Sequence, residues 1–269
     1  MYDYKQAISY NNESNNEKQI LEQLKIIIDN GYVMIRLFGS IESSNLILRL
    51  IDNNKLELKV FLGIQFLPEL IDQEAHPTKL LKTKDVILNK KENQKNIEML
   101  INLALKHDET IRYISVGYMN VASYDTHIIS RVELNKYIKM VKQKVTQKIT
   151  YSDSFYLWNT TLSDMTSVVD FVSIQVHPYT QDKFNKDAFD YLSLVYEATK
   201  ENLGMLPIVV SETGYPKKDG TGTSIKENQS TFIKSVQTWA MTNDVLVVLH
   251  EAFSKTSHTE NHLMDYGIL

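Results

Sequence analysis

Eight short apolar runs alternate with longer segments of helical periodicity between Gln6 and His250. That alternation argues for repeated βα units around a parallel sheet. The runs are Gln6 to Ser9, Val33 to Phe38, Leu58 to Ile64, Arg112 to Val116, Lys148 to Ser152, Phe171 to Val176, Pro207 to Ser211 and Val245 to His250. Several are nearly continuous in Val, Ile and Leu, as strands buried on both faces require. The intervening segments predict helices at Glu17 to Asn30, Ser43 to Asn53, Asn93 to Lys106, Arg131 to Lys144, Lys186 to Glu201 and Lys226 to Thr242. In the third of these, Ile97, Leu100, Ile101 and Leu105 share one face. The fifth crossover is short, and a last helix is missing or rudimentary. The 269 residues suit one α/β (β/α)8 TIM barrel, which needs about 250. Length alone also permits two small domains, but no linker rich in Gly, Pro or Ser and no internal repeat is visible. A single domain over residues 1–269 is expected.

Composition removes several classes of function. With 43% hydrophobic and 23% charged residues, the chain can bury a sizeable core, so disorder is not expected. A net charge of −4, with lysines scattered through helical segments, gives no basic footprint for a nucleic-acid backbone. There is no cysteine, hence no disulfide framework, thiol nucleophile or thiolate metal site. No apolar stretch approaches the roughly 20 residues of a membrane span, and the N-terminus lacks the basic-then-apolar layout of a signal peptide. A cytoplasmic location is expected for the chain as written, although a trimmed segment of a secreted or periplasmic protein would read the same. His177, His250, His258 and His262 show no HExxH-type spacing, so no metal is expected. Asp219-Gly-Thr-Gly222 is a turn rather than a phosphate loop, and no cofactor is expected.

In barrels of this kind the chemistry lies at the C-terminal ends of the strands. Polar and special residues there are Tyr10, Gly39, Ser40, Gln65, Tyr118, Met119, Asp153, His177, Tyr179, Glu212 and Glu251. A glycosidase that retains configuration needs two carboxyl groups about 5 to 5.5 Å apart, one attacking the anomeric carbon and one protonating the departing oxygen. Glu212 follows the apolar run Ile208 to Ser211 and precedes Gly214 and Pro216, which end that run. Such a position suits a nucleophile; it suits equally a strand-end carboxylate paired with a Lys or Arg.

Five segments, taken in order, carry a resemblance: IRLFGS at Ile35 to Ser40, NKKENQKNIEMLINLA before the fourth strand, DFVSIQVHPY at Asp170 to Tyr179, SETGYP at Ser211 to Pro216, and HEAF at His250 to Phe253. Together they resemble glycoside hydrolase family 17, the β-1,3-glucanases and related glucosyltransferases, in its bacterial form, across almost the whole chain. The family's strand-seven motif, roughly GEAGWP, is similar to SETGYP, with Glu212 at the nucleophile and Tyr215 in place of Trp. The resemblance also places a sugar-contacting Trp at Trp158.

Departures cluster at the strand ends. Where the family carries VGNE, with its acid/base Glu, this chain reads Val116-Gly117-Tyr118-Met119. Met119 cannot donate a proton, and Tyr118 lacks the amide that would hold the sugar 2-OH. Gln65 stands where an aromatic residue is usual, Ile41 where Asp is common, and Ser254 where EAFDE supplies an Asp. Loss of a positioned acid costs about 10²- to 10⁴-fold in rate.

The resemblance therefore implies a hydrolytically impaired β-glucan-binding homologue that keeps Glu212. The alternatives are an active retaining β-1,3-glucan hydrolase or transglucosylase with a substitute acid, such as Asp125 or Glu13, and a scaffold or unrelated barrel enzyme. Expected sugar contacts are Tyr10, Tyr118, Asp153, Trp158, His177, Tyr179, Tyr215 and Glu251, drawn from hydrogen-bonding groups and aromatic faces. Arg36 is expected to be a barrel-interior charge paired with a carboxylate. Oligomeric state stays open.

Overall fold

A computed structural model describes residues 6–11, 14–71, 81–121, 128–184, 186–254 and 264–269. Glu13, Asp125, His258 and His262 lie outside the described residues. The strands are β1 Gln6–Ser9, β2 Met34–Leu37, β3 Lys59–Ile64, β4 Ile111–Tyr118, β5 Lys148–Ser154, β6 Val172–Gln175, β7 Ile208–Thr213 and β8 Val247–Leu249. They form a closed barrel in the order β1 to β8, with parallel pairing of β1 to β2 and β8, β3 to β4, β4 to β5, and β7 to β8. The α/β barrel expected from the alternation is thus the fold. Every residue of β2, β6 and β7 is buried, polar ones such as Arg36, Ser173, Gln175, Ser211 and Glu212 included, as strands covered on both faces are.

Seven α-helices occur among the described residues: α1 Glu17–Asp29, α2 Ile41–Asn53, α3 Thr83–Lys106, α4 Arg131–Lys142, α5 Phe155–Asn159, α6 Lys186–Leu203 and α7 Lys226–Thr242. Their starts are chemically marked. Asn16, Ser40, Ser130 and Ser154 each accept hydrogen bonds from backbone N–H groups of the first turn of α1, α2, α4 and α5, satisfying donors that have no partner within the helix. α1 buries Ile20, Leu24 and Ile27, and α4 buries Leu134, Tyr137, Ile138 and Val141, the stripe that seats a helix on a sheet. The short fifth crossover consists of α5 and a 3₁₀ turn over Ser163–Ser167.

Helix α3 differs from its sequence reading. It begins ten residues earlier than Asn93, and its inner face is Asn93, Ile97, Leu100, Leu103 and Ala104. Leu105 is exposed instead. The polar Asn93 belongs inside because it clamps the chain after β3: its Nδ2 donates to Leu67 O and Glu69 Oε1, both at 2.9 Å, and its Oδ1 accepts from Leu67 N at 2.8 Å. Tyr137 Oη donates to the same Glu69 oxygen at 2.6 Å. Helical periodicity scores such an asparagine as surface, so the apolar stripe was displaced by one position.

The chain divides into two compact units, Met1–Arg36 with Ile174–Leu269, and Leu37–Ser173. The unit boundaries fall within β2 and β6, and the first unit holds β1, β7, β8, α1, α6 and α7 whole. The second holds β3, β4, β5 and α2 to α5.

Candidate active site

Glu212 is the centre of a charged cluster in the first unit. β7 carries it, and its backbone carbonyl accepts from Val176 N at 3.0 Å, so the end of β6 fixes its height. Its Oε2 accepts a hydrogen bond from Arg36 Nη1 at 2.6 Å, with the two side chains only 5% and 1% exposed. The other oxygen, Oε1, lies 3.3 Å from His177 Nε2 and 3.7 Å from His250 Nδ1. Burial by itself would raise the Glu212 pKa. The His177 hydrogen bond and the charges of His250 and Arg36 outweigh it and hold the carboxyl well below the usual carboxylate range. A carboxylate kept ionised at a strand end is what nucleophilic attack on an anomeric carbon requires.

The imidazoles are themselves positioned. Ser9 Oγ lies 3.2 Å from His250 Nδ1, His250 Nε2 is 3.9 Å from Glu251 Oε1, and the Tyr266 ring packs on the His250 ring at 5.4 Å. Gly214 belongs here for a steric reason: a Cβ on it would come within 2.5 Å of the His250 carbonyl. Residues 264–269 run along this edge, where Glu251 N donates to Tyr266 O and Ile268 N to Glu251 O. Tyr266, in that stretch, has its pKa raised to about 12, by burial first and then by Tyr179 and Tyr215.

The end of β4, in the second unit, is a rigid elbow. Gly117 has φ +102° and Met119 has φ +51°, the left-handed region that costs a non-glycine residue roughly 1–2 kcal/mol. Asn120 holds the elbow: its Oδ1 accepts from Tyr118 N at 2.9 Å, and its own N–H donates to Tyr151 Oη at 2.7 Å. A chain of buried hydroxyls, Ser173, Ser152 and Ser115, spaced 2.7 and 2.9 Å, ends on the Gly117 carbonyl, to which Ser115 Oγ donates at 2.7 Å. Tyr118 and Met119 are half-buried, and Tyr118 stacks on Phe38 with ring centroids 5.2 Å apart and 16° between planes.

The expected sugar contacts separate into two groups. His177, Tyr179 and Tyr118 keep accessible surface, whereas Glu251 is 6% exposed and faces His250. Four others are packed away. Trp158 is fully buried, with its Nε1 donating to Ser173 O at 2.9 Å; both ring faces are spent on the core, and it offers none for stacking. Tyr10 is buried, with its hydroxyl donating to Gln23 Oε1 at 2.6 Å. Asp153 is buried, taking a hydrogen bond from Tyr151 Oη and another from Ser154 N at 2.7 Å. Tyr215 is buried edge-on to Tyr179 at 5.1 Å and tilted against Phe232 at 5.7 Å. All four side chains are covered by protein in this structure. Arg36 fulfils its expected pairing. His250, Tyr266 and Asn120 were not singled out as site residues; the HEAF segment was a signal for His250, while nothing local marks the other two.

A closed parallel barrel with a histidine-flanked, ionised carboxylate at the end of its seventh strand places the protein in the class of glycoside-hydrolase-like (β/α)8 barrels. More narrowly, the chain belongs to the BtgE/BtgC glycoside hydrolase domain family, whose profile matches residues 2–265. No curated protein gives a significant match. Among solved structures, the chain is similar to an endo-laminarinase from Formosa Hel1_33_131, at 16% identity over 98% of this chain and 82% of that one, with TM-score 0.79. It is also similar to the glycoside hydrolase family 17 β-1,3-glucanosyltransferase from Rhizomucor miehei, at 17% identity, 98% and 92% coverage and TM-score 0.76. An active-site mutant of a Rhizomucor miehei β-1,3-glucanosyltransferase in complex with laminaritriose gives the same identity and coverage and TM-score 0.77. At these identities the likeness is one of fold.

Proposed function

We propose that this protein binds β-1,3-glucan or a related oligosaccharide and hydrolyses it slowly or not at all. The observation that carries the proposal is an asymmetry of chemistry. Glu212 is buried, hydrogen-bonded by Arg36 and flanked by two imidazoles, as a nucleophile position would be. The position that resembles the family's acid is Met119, whose thioether has no proton to give. An alkoxide leaving group without protonation is a poor one, so an unactivated glucan stays intact.

The retained half of the machinery supports a second reading for activated donors. There Glu212 Oε1 attacks the anomeric carbon, and the bond to the leaving group breaks with its electron pair on that group, which needs no proton. An acceptor hydroxyl then attacks the same carbon, releases the Glu212 carboxylate and gives its proton to solvent. We further take residues 1–269 as one functional domain, since the family profile spans residues 2–265. No helix of the described residues is long and apolar enough to cross a membrane.

The test combines laminari-oligosaccharide titration with product analysis by mass spectrometry. Binding without product is expected. Absence of binding at millimolar concentration removes the glucan reading and leaves a scaffold role.

A further inference from the structure

We propose that Ser9 and Tyr266 are positioning residues: they clamp the His250 imidazole between the Glu212 and Glu251 carboxylates and so set how Glu212 Oε1 faces a sugar carbon. This rests on the reading of Glu212 as a nucleophile position and names what holds that position in order. Every residue involved belongs to the first unit.

His250 Nδ1 lies 3.7 Å from Glu212 Oε1, and its Nε2 lies 3.9 Å from Glu251 Oε1; the two carboxylate side chains are only 5% and 7% exposed. A doubly protonated imidazole turns one N–H toward each. Neither separation is a hydrogen-bond distance, so charge attraction alone leaves the ring free to rotate. Two neighbours supply the missing direction. Ser9, fully buried at the end of β1, brings its Oγ to 3.2 Å from Nδ1, and its carbonyl accepts from Ala252 N at 2.9 Å. One residue thus grips both the ring and the chain just beyond it.

Tyr266 closes the other side. Its ring meets the imidazole at 5.4 Å with 60° between planes. Its carbonyl accepts from Glu251 N and from the buried Gln229 Nε2, both at 3.3 Å, and the preceding Asp265 carbonyl accepts from Lys217 N at 2.6 Å. The backbone that carries the ring is therefore tied to β8, α7 and the end of β7. Gly214 makes room for the packing: a Cβ there would lie 2.5 Å from the His250 carbonyl and 3.2 Å from Tyr266 Cδ1. Rotation of His250 would also disturb His177, which reaches the same Glu212 oxygen at 3.3 Å and meets the His250 ring edge-on at 6.1 Å. Burial raises the Glu212 carboxyl, whereas the His177 hydrogen bond and then the His250 charge lower it. A displaced imidazole thus alters the basicity of the attacking oxygen as well as its direction.

The test uses 2-deoxy-2-fluoro-β-laminaribiosyl fluoride, an activated donor. Glu212 Oε1 bonds to the anomeric carbon, the anomeric carbon–fluorine bond breaks with its electron pair on fluoride, and no proton is required. Mass spectrometry follows the labelled full chain with time and locates the label. The proteins are the natural chain, Ser9→Ala, Tyr266→Leu, Tyr266→Phe, His250→Gln, and Tyr266→Leu combined with His250→Gln, each checked by thermal unfolding. The maximal labelling rate should fall about three- to tenfold in Ser9→Ala and in Tyr266→Leu, the size of one lost hydrogen bond or ring contact. The donor concentration that gives half the maximal rate should stay within about twofold. Tyr266→Phe keeps the ring and should restore the natural rate. Adding Tyr266→Leu to His250→Gln should slow labelling no further, because the side chain it positions is gone; equal slowing in both backgrounds would show a merely structural Tyr266 and overturn the clamp. Ser9→Ala is the smaller change and preserves the test if Tyr266→Leu unfolds. Labelling at the natural rate in folded Ser9→Ala or Tyr266→Leu also overturns the clamp and leaves Glu212 as the nucleophile. A natural protein that takes no label at Glu212 overturns the nucleophile reading, and the clamp with it.

Discussion

Arg36→Met probes what keeps the Glu212 charge in the barrel interior. The guanidinium Nη1 is 2.6 Å from Glu212 Oε2, and neither side chain reaches more than 5% exposure. Removing one partner of a buried ion pair leaves the other charged and desolvated, at a cost of about 3–5 kcal/mol. Here His177 and His250 remain at 3.3 and 3.7 Å from Oε1, so the lower end, about 3 kcal/mol, is expected. For a chain of this size that is a fall in Tm of about 6–12 °C. Repeating Arg36→Met in a Glu212→Gln background should cost much less, because the neutral amide no longer needs the guanidinium. The resulting coupling energy should be about 2 kcal/mol. Thermal and urea unfolding of the four proteins measures it. A fall of less than 2 °C for Arg36→Met, or the same fall in both backgrounds, would refute the view that Arg36 holds the carboxylate charged.

Further expectations follow from the same geometry. Because folding lowers the Glu212 pKa, its contribution to stability is complete above the unfolded carboxyl value of about 4.3 and is lost as pH falls through the folded value. Unfolding followed from pH 7 to pH 3 should therefore steepen less with acid in Glu212→Gln than in the natural protein, and parallel curves would contradict this. Met119→Glu with Tyr118→Asn should bring measurable cleavage of laminari-oligosaccharides, short of the full 10²- to 10⁴-fold of a native acid. Asn93→Ala should destabilise by about 2–3 kcal/mol, read by urea unfolding, because it strips a buried side chain of three hydrogen bonds and leaves Glu69 short of a donor. Trp158→Phe should lower Tm while leaving laminaritriose affinity unchanged; loss of affinity with unchanged Tm would restore Trp158 as a sugar contact.

Strand positions were legible where apolar residues dominate a short run, as in Val247 to Leu249 of β8, and β1 and α7 coincide with their sequence ranges. Helix α3 starts earlier than its sequence range, since the apolar residues of Thr83 to Glu92 are the consecutive Val86, Ile87 and Leu88, which mark no single helical face. Glu212 is legible near the end of β7 because the apolar run Ile208 to Val210 and the following Gly214 and Pro216 mark that strand in sequence, and Gly214 is explained by its approach to the His250 carbonyl. Among the expected sugar contacts, His177, Tyr179 and Tyr118 keep accessible surface while Tyr10, Asp153, Trp158 and Tyr215 are buried. Sequence shows that Trp158, Tyr10 and Tyr215 are large and aromatic, but whether a ring faces solvent or core depends on which neighbours close over it. For Trp158 the Ser173 carbonyl decides this, and for Tyr10 it is Gln23. Asn120 and Tyr266 carry no local signal, because their roles arise from contacts with Tyr151 and His250 made only in the folded chain.

The most direct test of the account is the turnover of laminari-oligosaccharides by the natural chain beside Glu212→Gln. The account predicts binding with no product above background for either protein. Robust cleavage by the natural chain, abolished by Glu212→Gln, would contradict it and show that another group supplies the proton that Met119 cannot.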